Sequence, residues 1–330
     1  MNRIIINITS CVIVVLVSCG CTETNVTDPE PIGVEQGNTE LIFQSGFEAE
    51  TKVFNQKNDD AEITGTDHTL PDLNNWEIDL NGHPKIGHFN IQYQGGNDSQ
   101  RLAEIAIDPL DPSNSALKFW IKDPNIDNSA GRVQANIYNN DKIKELHYSV
   151  HLLISDDFKS VESAPFLVNW LTLMEFWNNA NWTTEDYQYR ITVNLQKRTA
   201  RDEHLKIGIK SQVRASGTDE WHIHPVWEHI NYSYAVPIGK WMRIDIHFVE
   251  GDKTNGRFVF GVTPDGGETT VLHDIRNFTH HPEDPDPDGL SHFNPMKLYT
   301  SGKLIDHVKG TDKLLNVYWD DFRLSLAAPQ

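Results

Sequence analysis

The chain has 330 residues, a formal net charge of −19 at pH 7 and 38% hydrophobic residues. A body this acidic repels nucleic acid and anionic lipid, so neither is expected as a partner through the net field, whereas a local basic cleft holding an anionic substrate is not excluded. The cysteines Cys11, Cys19 and Cys21 all precede the first strand-like run, so the folded part is expected to have no disulfide or thiol site and to depend on a packed core.

Met1-Asn2-Arg3 leads into an apolar run from Ile4 to Val17, closed by Leu16-Val17-Ser18-Cys19. This is the pattern of a secretion signal over residues 1–18 ending in a lipoprotein cleavage box. The run is too short to stay as a spanning helix, and Cys19 would become an acylated mature N-terminus. An ordinary signal cut near Cys21, or an uncleaved anchor, is the competing reading. Residues 19–40 are polar and proline-bearing, as a lipidated, flexible tether would be. Residues 41–330 read as one β domain.

Within that domain period two dominates, and no window carries a sustained helical stripe. Strands are predicted at 116–121, 132–138, 148–152, 189–196, 205–209, 242–248, 258–262 and 315–319, with a further run at 170–179 whose apolar residues occupy both faces. Turn clusters at Asp108-Pro109, Asn139-Asn140-Asp141, Ser216-Gly217-Thr218 and Pro264-Asp265-Gly266-Gly267 separate the runs. Ten or so antiparallel strands imply an all-β, two-sheet antiparallel β-sandwich, most simply a jelly roll. Side chains that alternate with core positions would then line any cleft on an outer face.

The sequence offers several such sets. Arg132, Gln134, Asn136 and Tyr138 share one strand face and could hold sugar hydroxyls or a uronate carboxylate, with Arg132 as a bidentate fork. Arg190, Thr192, Asn194 and Gln196 form a second face of the same kind. Glu175 and Trp177 share a face in the run 170–179. Glu175 is expected either as a desolvated general acid with raised pKa or as a buried partner of Arg190 or Arg132. In the loop 278–293, His281 and His292 are candidate bases, and Asp284, Asp286 and Asp288 only partly imitate a calcium loop. Glu48 near the first strand and Asp320-Asp321 in the last could clamp a structural Ca2+ if the terminal strands are neighbours.

The closing Tyr318-Trp319-Asp320-Asp321-Phe322-Arg323-Leu324 and the opening Phe47-Glu48 resemble the concanavalin A-like jelly-roll superfamily, and within it secreted polysaccharide lyases of the alginate lyase and heparin lyase I kind. Of the three motif strands of such alginate lyases, Arg132 keeps the leading Arg of the first. Glu175-Phe176-Trp177 keeps neither Gln nor His of the second. Met296-Lys297-Leu298-Tyr299 keeps a Lys and a Tyr of the third at altered spacing. The lipobox, acidic body and Asn- and Lys-rich usage are similar to lipoproteins of Bacteroidetes glycan-utilisation systems, which implies a lipid-anchored place at the cell outer membrane.

The resemblance implies β-elimination of an anionic polysaccharide, with Tyr299, His281 or His292 as base and acid. Arg132, Gln134 and Asn136 would neutralise the uronate, and Trp177, Asn178, Arg190, Asn194 and Lys297 would position it. Two other readings stay open. One is a glycoside hydrolase using Glu175 with a second carboxylate such as Asp245 or Glu228. The other is a non-catalytic glycan-binding protein stacking sugars on Trp177, Trp221 and Trp227. The protein is expected as a monomer with no organic cofactor.

Overall fold

A computed structural model describes residues 39–48, 50–56, 60–94, 96–125, 127–180, 186–214 and 225–327. Cys19, the tether before residue 39, Trp221 and the Ser216-Gly217-Thr218 turn lie outside the described residues.

The strands are, in order, β1 (Thr39–Ser45), β2 (Lys52–Asn55), β3 (Asp60–Thr64), β4 (His88–Tyr93), β5 (Arg101–Ile107), β6 (Ser115–Ile121), β7 (Ala130–Ile143), β8 (Glu145–Ile154) and β9 (Leu171–Asn178). There follow β10 (Tyr189–Gln196), β11 (Lys206–Val213), β12 (Trp227–Ile230), β13 (Trp241–Val249), β14 (Arg257–Pro264), β15 (Thr270–Arg276), β16 (Leu290–Asn294), β17 (Lys297–Ser301) and β18 (Leu315–Ala327). They form two antiparallel sheets. One runs β15-β14-β13-β8-β18-β6-β5 with β1 on β18; the other runs β12-β11-β10-β9-β16-β7-β4-β3-β2 with β17 on β7 and β9. This is the predicted two-sheet jelly-roll sandwich, with β1 and β18 neighbours as expected.

Alternation explains which residues fill the space between the sheets. In β7, Val133, Ala135 and Ile137 are buried in the core; in β10, Ile191, Val193 and Leu195 are; from the opposite sheet Val150, Leu152, Ile244 and Ile246 meet them. Each such branched side chain removed from water contributes about 1.5–3 kcal/mol. A short π-helical turn, Trp76–Leu80, closes one end. Its Trp76 packs edge-on to Phe43 with ring centroids 4.6 Å apart.

Two expectations about local structure are corrected. Asn139-Asn140-Asp141 is no chain reversal, because β7 continues to Ile143; Asn139 takes φ 55° and Lys142 φ 52°, a kink within the strand. Asn tolerates that left-handed conformation better than most residues, which is why the segment looked like a turn. The run 170–179 is also not a strand with apolar residues on both faces. Val193 of β10 faces Met174, while the next residue, Asn194, faces Thr172, so Leu173 is an extra residue in β9. This β-bulge lets both Leu173 and Met174 enter the core and returns Glu175 and Trp177 to the outer face with Thr172.

Candidate active site

The registers of β11, β10, β9, β16, β17 and β7 stack their outward side chains into rows across the larger sheet. One row reads Gln212, Arg190, Trp177, His292, Tyr138; the next Lys210, Thr192, Glu175, Asn294; the third Asn194, Thr172, Tyr299, Arg132. Adjacent strands lie about 4.8 Å apart, so these rows cover a surface the size of a sugar ring or two. Between them opens a cavity of about 380 Å³, lined by Arg132, Gln134, Trp170, Thr172, Glu175, Trp177, Arg190, Thr192, Asn194, Lys210, Gln212, Asn294, Lys297 and Tyr299.

Glu175 is the hub. One carboxylate oxygen accepts from Arg190 Nη1 at 2.9 Å, and the other accepts from the ammonium of Lys297. Burial alone would raise its pKa, but Lys297 and Arg190 outweigh that and hold it at about 2. Burial lowers Lys297 to about 8 against the opposing pull of Glu175, and at neutral pH the pair is ionic. Glu175 is therefore the paired residue, not the protonated general acid. It is also the sole carboxylate among the described cavity-lining residues. The hydrolase partners do not reach it: Asp245 sits on the other sheet bound to Arg243 at 2.8 Å, and Glu228 on β12 faces Arg198 at 3.7 Å.

With Arg132, Arg190, Lys210 and Lys297 against one carboxylate, the cavity is cationic on an acidic body. Arg132 lies 5.7 Å and Lys297 Nζ 5.2 Å from the Tyr299 ring. Burial raises the Tyr299 pKa, while the Arg132 charge pulls it down. Trp170 packs edge-on against Tyr299 at 4.8 Å and is 37% exposed, so an indole stands at the rim.

Behind the cavity an amide relay fixes the strands. Gln134 donates to Asn136 at 2.8 Å, Asn136 donates to Asn90 at 3.1 Å, and Asn294 donates to Asn136 and to the carbonyl of Ala135. Asn136 is thus a buried support and does not line the cavity. Arg190 also donates to Gln212 at 3.0 Å and lies 5.3 Å over the Trp177 ring, so that indole is covered by a guanidinium. Asn194 accepts from Thr172 at 2.9 Å.

Other candidates stand elsewhere. His292 is buried beside the cavity, its pKa lowered to about 3 by burial and by Lys297, and it lines a second cavity of about 250 Å³ with Tyr138 and Asn139. His281 does not line either of these cavities; its Nδ1 accepts from the Glu283 N–H at 3.1 Å and its ring is 5.4 Å from Tyr187. Asn178 is turned away from the cavity to Glu250 and to the carbonyl of Gly289 at 2.7 and 2.8 Å. Trp227 is buried, donating to the carbonyl of Phe278 at 2.8 Å, so it is no open stacking plate. Sequence reasoning missed Lys210, Gln212, Asn294, Thr172 and Trp170. Extending the Lys206-Gly208 alternation of β11 two further steps would have found Lys210 and Gln212.

At the β1–β18 end a separate set of carboxylates converges. A side chain built at Gly46 would have its Cβ 3.4 Å from Asp67, 3.6 Å from Asp321 and 3.7 Å from Asp320 oxygens. Burial and the neighbouring Asp321 push Asp320 up to about 7. Phe47 and Asp321 flank the set at φ 58° and 46°, conformations that cost energy for such residues. Asp321 also contacts His151 at 2.9 Å. Of the expected calcium ligands, Asp320 and Asp321 join this set, whereas Glu48 spends one oxygen on the Ser115 N–H; Asp67 was not foreseen. Hard oxygen donors on carboxylates suit Ca2+.

Fold and site together define an antiparallel β-sandwich with a polar, cationic cavity on the outer face of one sheet. No family model matches the chain, and no curated protein does. Among solved structures it is similar to the endo-β-1,4-glucuronan lyase of the fungus Trichoderma reesei, with 16% identity over 74% of this chain and 96% of that one and a TM-score of 0.46. It is also similar to the PL-14 alginate lyase of Aplysia kurodai (13% identity, 77% and 94% covered, TM-score 0.41). A third is the exoplasmic/lumenal domain of VIP36 bound to Ca2+ and Man3GlcNAc (9% identity, 73% and 84% covered, TM-score 0.38).

Proposed function

We propose that the protein cleaves an anionic, uronate-containing polysaccharide by β-elimination in the cavity on the larger sheet. The observation that carries this reading is the gathering of Arg132, Arg190, Lys210 and Lys297 around Tyr299 with a single, already paired carboxylate. Guanidinium groups neutralise the substrate carboxylate and so acidify its C5–H. Tyr299 removes that proton, with the Arg132 charge opposing the upward shift that burial gives its phenol. The C5–H electron pair forms the C4=C5 double bond, the C4–O4 bond breaks, and the phenol returns the proton to the leaving oxygen. Lys297 holds Glu175, and Glu175 in turn aims Arg190. Trp170 supplies the apolar edge for a pyranose ring.

The test is a panel of polyuronates and neutral glucans read in parallel for ultraviolet absorbance and for reducing ends. Absorbance with a polyuronate and none with a neutral glucan is expected. Reducing ends without absorbance would establish hydrolysis instead, and binding without either would leave a glycan-binding protein.

The same proposal places the domain on the cell outer membrane through acylated Cys19 and the tether, and puts a structural Ca2+ between Asp67, Asp320 and Asp321. Calcium chelation is expected to lower Tm, and calcium to restore it; in Asp320→Asn the response to calcium should be largely lost. A Tm indifferent to chelator in the parent chain would remove the ion from this reading.

A further inference from the structure

On the smaller sheet, another cluster faces outward. Glu145 and His147 lie two residues apart on β8, and so on one face; His247 of β13 stands directly opposite His147 in the register. Their neighbours Leu146, Tyr148, Ile246 and Phe248 all point into the core, which fixes the three polar side chains on the outer side. The two imidazoles stack with centroids 3.8 Å apart and planes 18° from parallel. Both direct Nε2 to the same carboxylate oxygen of Glu145, His247 at 2.9 Å and His147 at 3.5 Å.

Two features make this more than a surface ion pair. The ligand atoms lie within 4.8 Å of one another, and the 3.5 Å between His147 Nε2 and Glu145 is close to the roughly 3.4 Å edge of a tetrahedron with bonds of about 2.1 Å. Both rings are buried while Glu145 remains 37% exposed, so the cluster is rigid at its base and open at its rim. Nδ1 of each ring is buried with no hydrogen-bond partner, so without an ion the Glu145 carboxylate, an acceptor, holds the proton on His247 Nε2, and a bound ion takes the place of that proton. Arg257, the cation whose charge reaches His247, is itself bound by Asp274 through contacts of 2.8 and 3.0 Å.

We propose that Glu145, His147 and His247 form a site for a divalent transition ion of the Zn2+ class, with water completing a tetrahedral shell. Two imidazoles and one carboxylate are a donor set for Zn2+ and its neighbours, in contrast to the all-carboxylate set at the β1–β18 end, which suits Ca2+. An ion here ties β8 to β13 at the middle of the sheet and needs nothing from the cavity on the other sheet.

The experiment uses the full chain, stripped with chelator and dialysed, and titrated with Co2+ as a spectroscopic probe and then with Zn2+. A tetrahedral cobalt band in the visible, displaced by Zn2+, is expected. Glu145→Gln, His147→Ala and His247→Ala should each weaken cobalt binding by more than the roughly 10–100-fold that an outer-shell change can cost. Cys11, Cys19 and Cys21 are common to every variant and cancel in that comparison. Glu145→Gln keeps size and shape at a partly exposed position, so it reports on the site even if a histidine variant misfolds. Excess Ca2+ should leave the band unchanged. A band absent in the parent chain, or equal in Glu145→Gln and the parent, would overturn the site whatever the outcome at the cavity.

Discussion

Tyr299→Phe is expected to lower turnover on a polyuronate by roughly 10²–10⁴-fold, the range that a positioned proton-transfer group contributes. The variant removes one oxygen and leaves the edge-on packing against Trp170 and the cation contacts of the ring in place. Tm and substrate affinity should therefore stay close to those of the parent, with the loss confined to kcat. No other cavity-lining side chain among the described residues offers a hydroxyl or imidazole beyond Thr172 and Thr192, and a fully active variant would overturn Tyr299 as the base.

Glu175→Gln should produce the largest loss of stability. It leaves Lys297 and Arg190 facing a neutral amide where each had half of a carboxylate, and Lys297 is buried. Removing one partner of a buried pair costs about 3–5 kcal/mol. Adding Lys297→Met should recover part of that loss, since an unpaired buried ammonium is then gone; the double-mutant cycle measures the coupling. The pH dependence has a definite sign. The folded-state pKa of Glu175 is depressed to about 2 from an ordinary 4.5, so its contribution is present above 4.5 and lost as pH falls toward 2. Chemical denaturation between pH 5 and pH 2 should show a shallower decline for Glu175→Gln than for the parent. Equal slopes would mean that the ion pair does not form.

Much of the fold was legible because alternation is a local property. The strand 189–196 has the bounds of β10, and Val133, Ala135 and Ile137 point inward where period two placed them. The outward faces carrying Arg132 and Gln134, and Arg190 and Asn194, were legible for the same reason. What alternation does not contain is lateral neighbourhood. Lys210 and Gln212 enter the cavity because β11 pairs with β10, and Asn294 because β16 lies between β9 and β7, facts of register over long chain separations. Glu175 was read with two outcomes because burial raises a carboxylate pKa while a cation lowers it, and sequence does not say which neighbour arrives. His281 and Asn178 looked equally apt as polar groups near the right segments, yet His281 is engaged by the nearby Glu283 N–H and Asn178 by Glu250 and Gly289, distant along the chain. Asp67 escaped notice because its convergence with Asp320 and Asp321 depends on a loop meeting the sheet end, with no pattern along the chain.

The extra residue at Leu173 gives β9 one position more than its pairing with β10 needs. Losing it would put Thr172 and Met174 in plain alternation opposite Asn194 and Val193, with Glu175 and Trp177 still facing outward. The bulge thus holds one spare residue in reserve: the strand can absorb its removal, whereas a second deletion from β9 would have to turn side chains over.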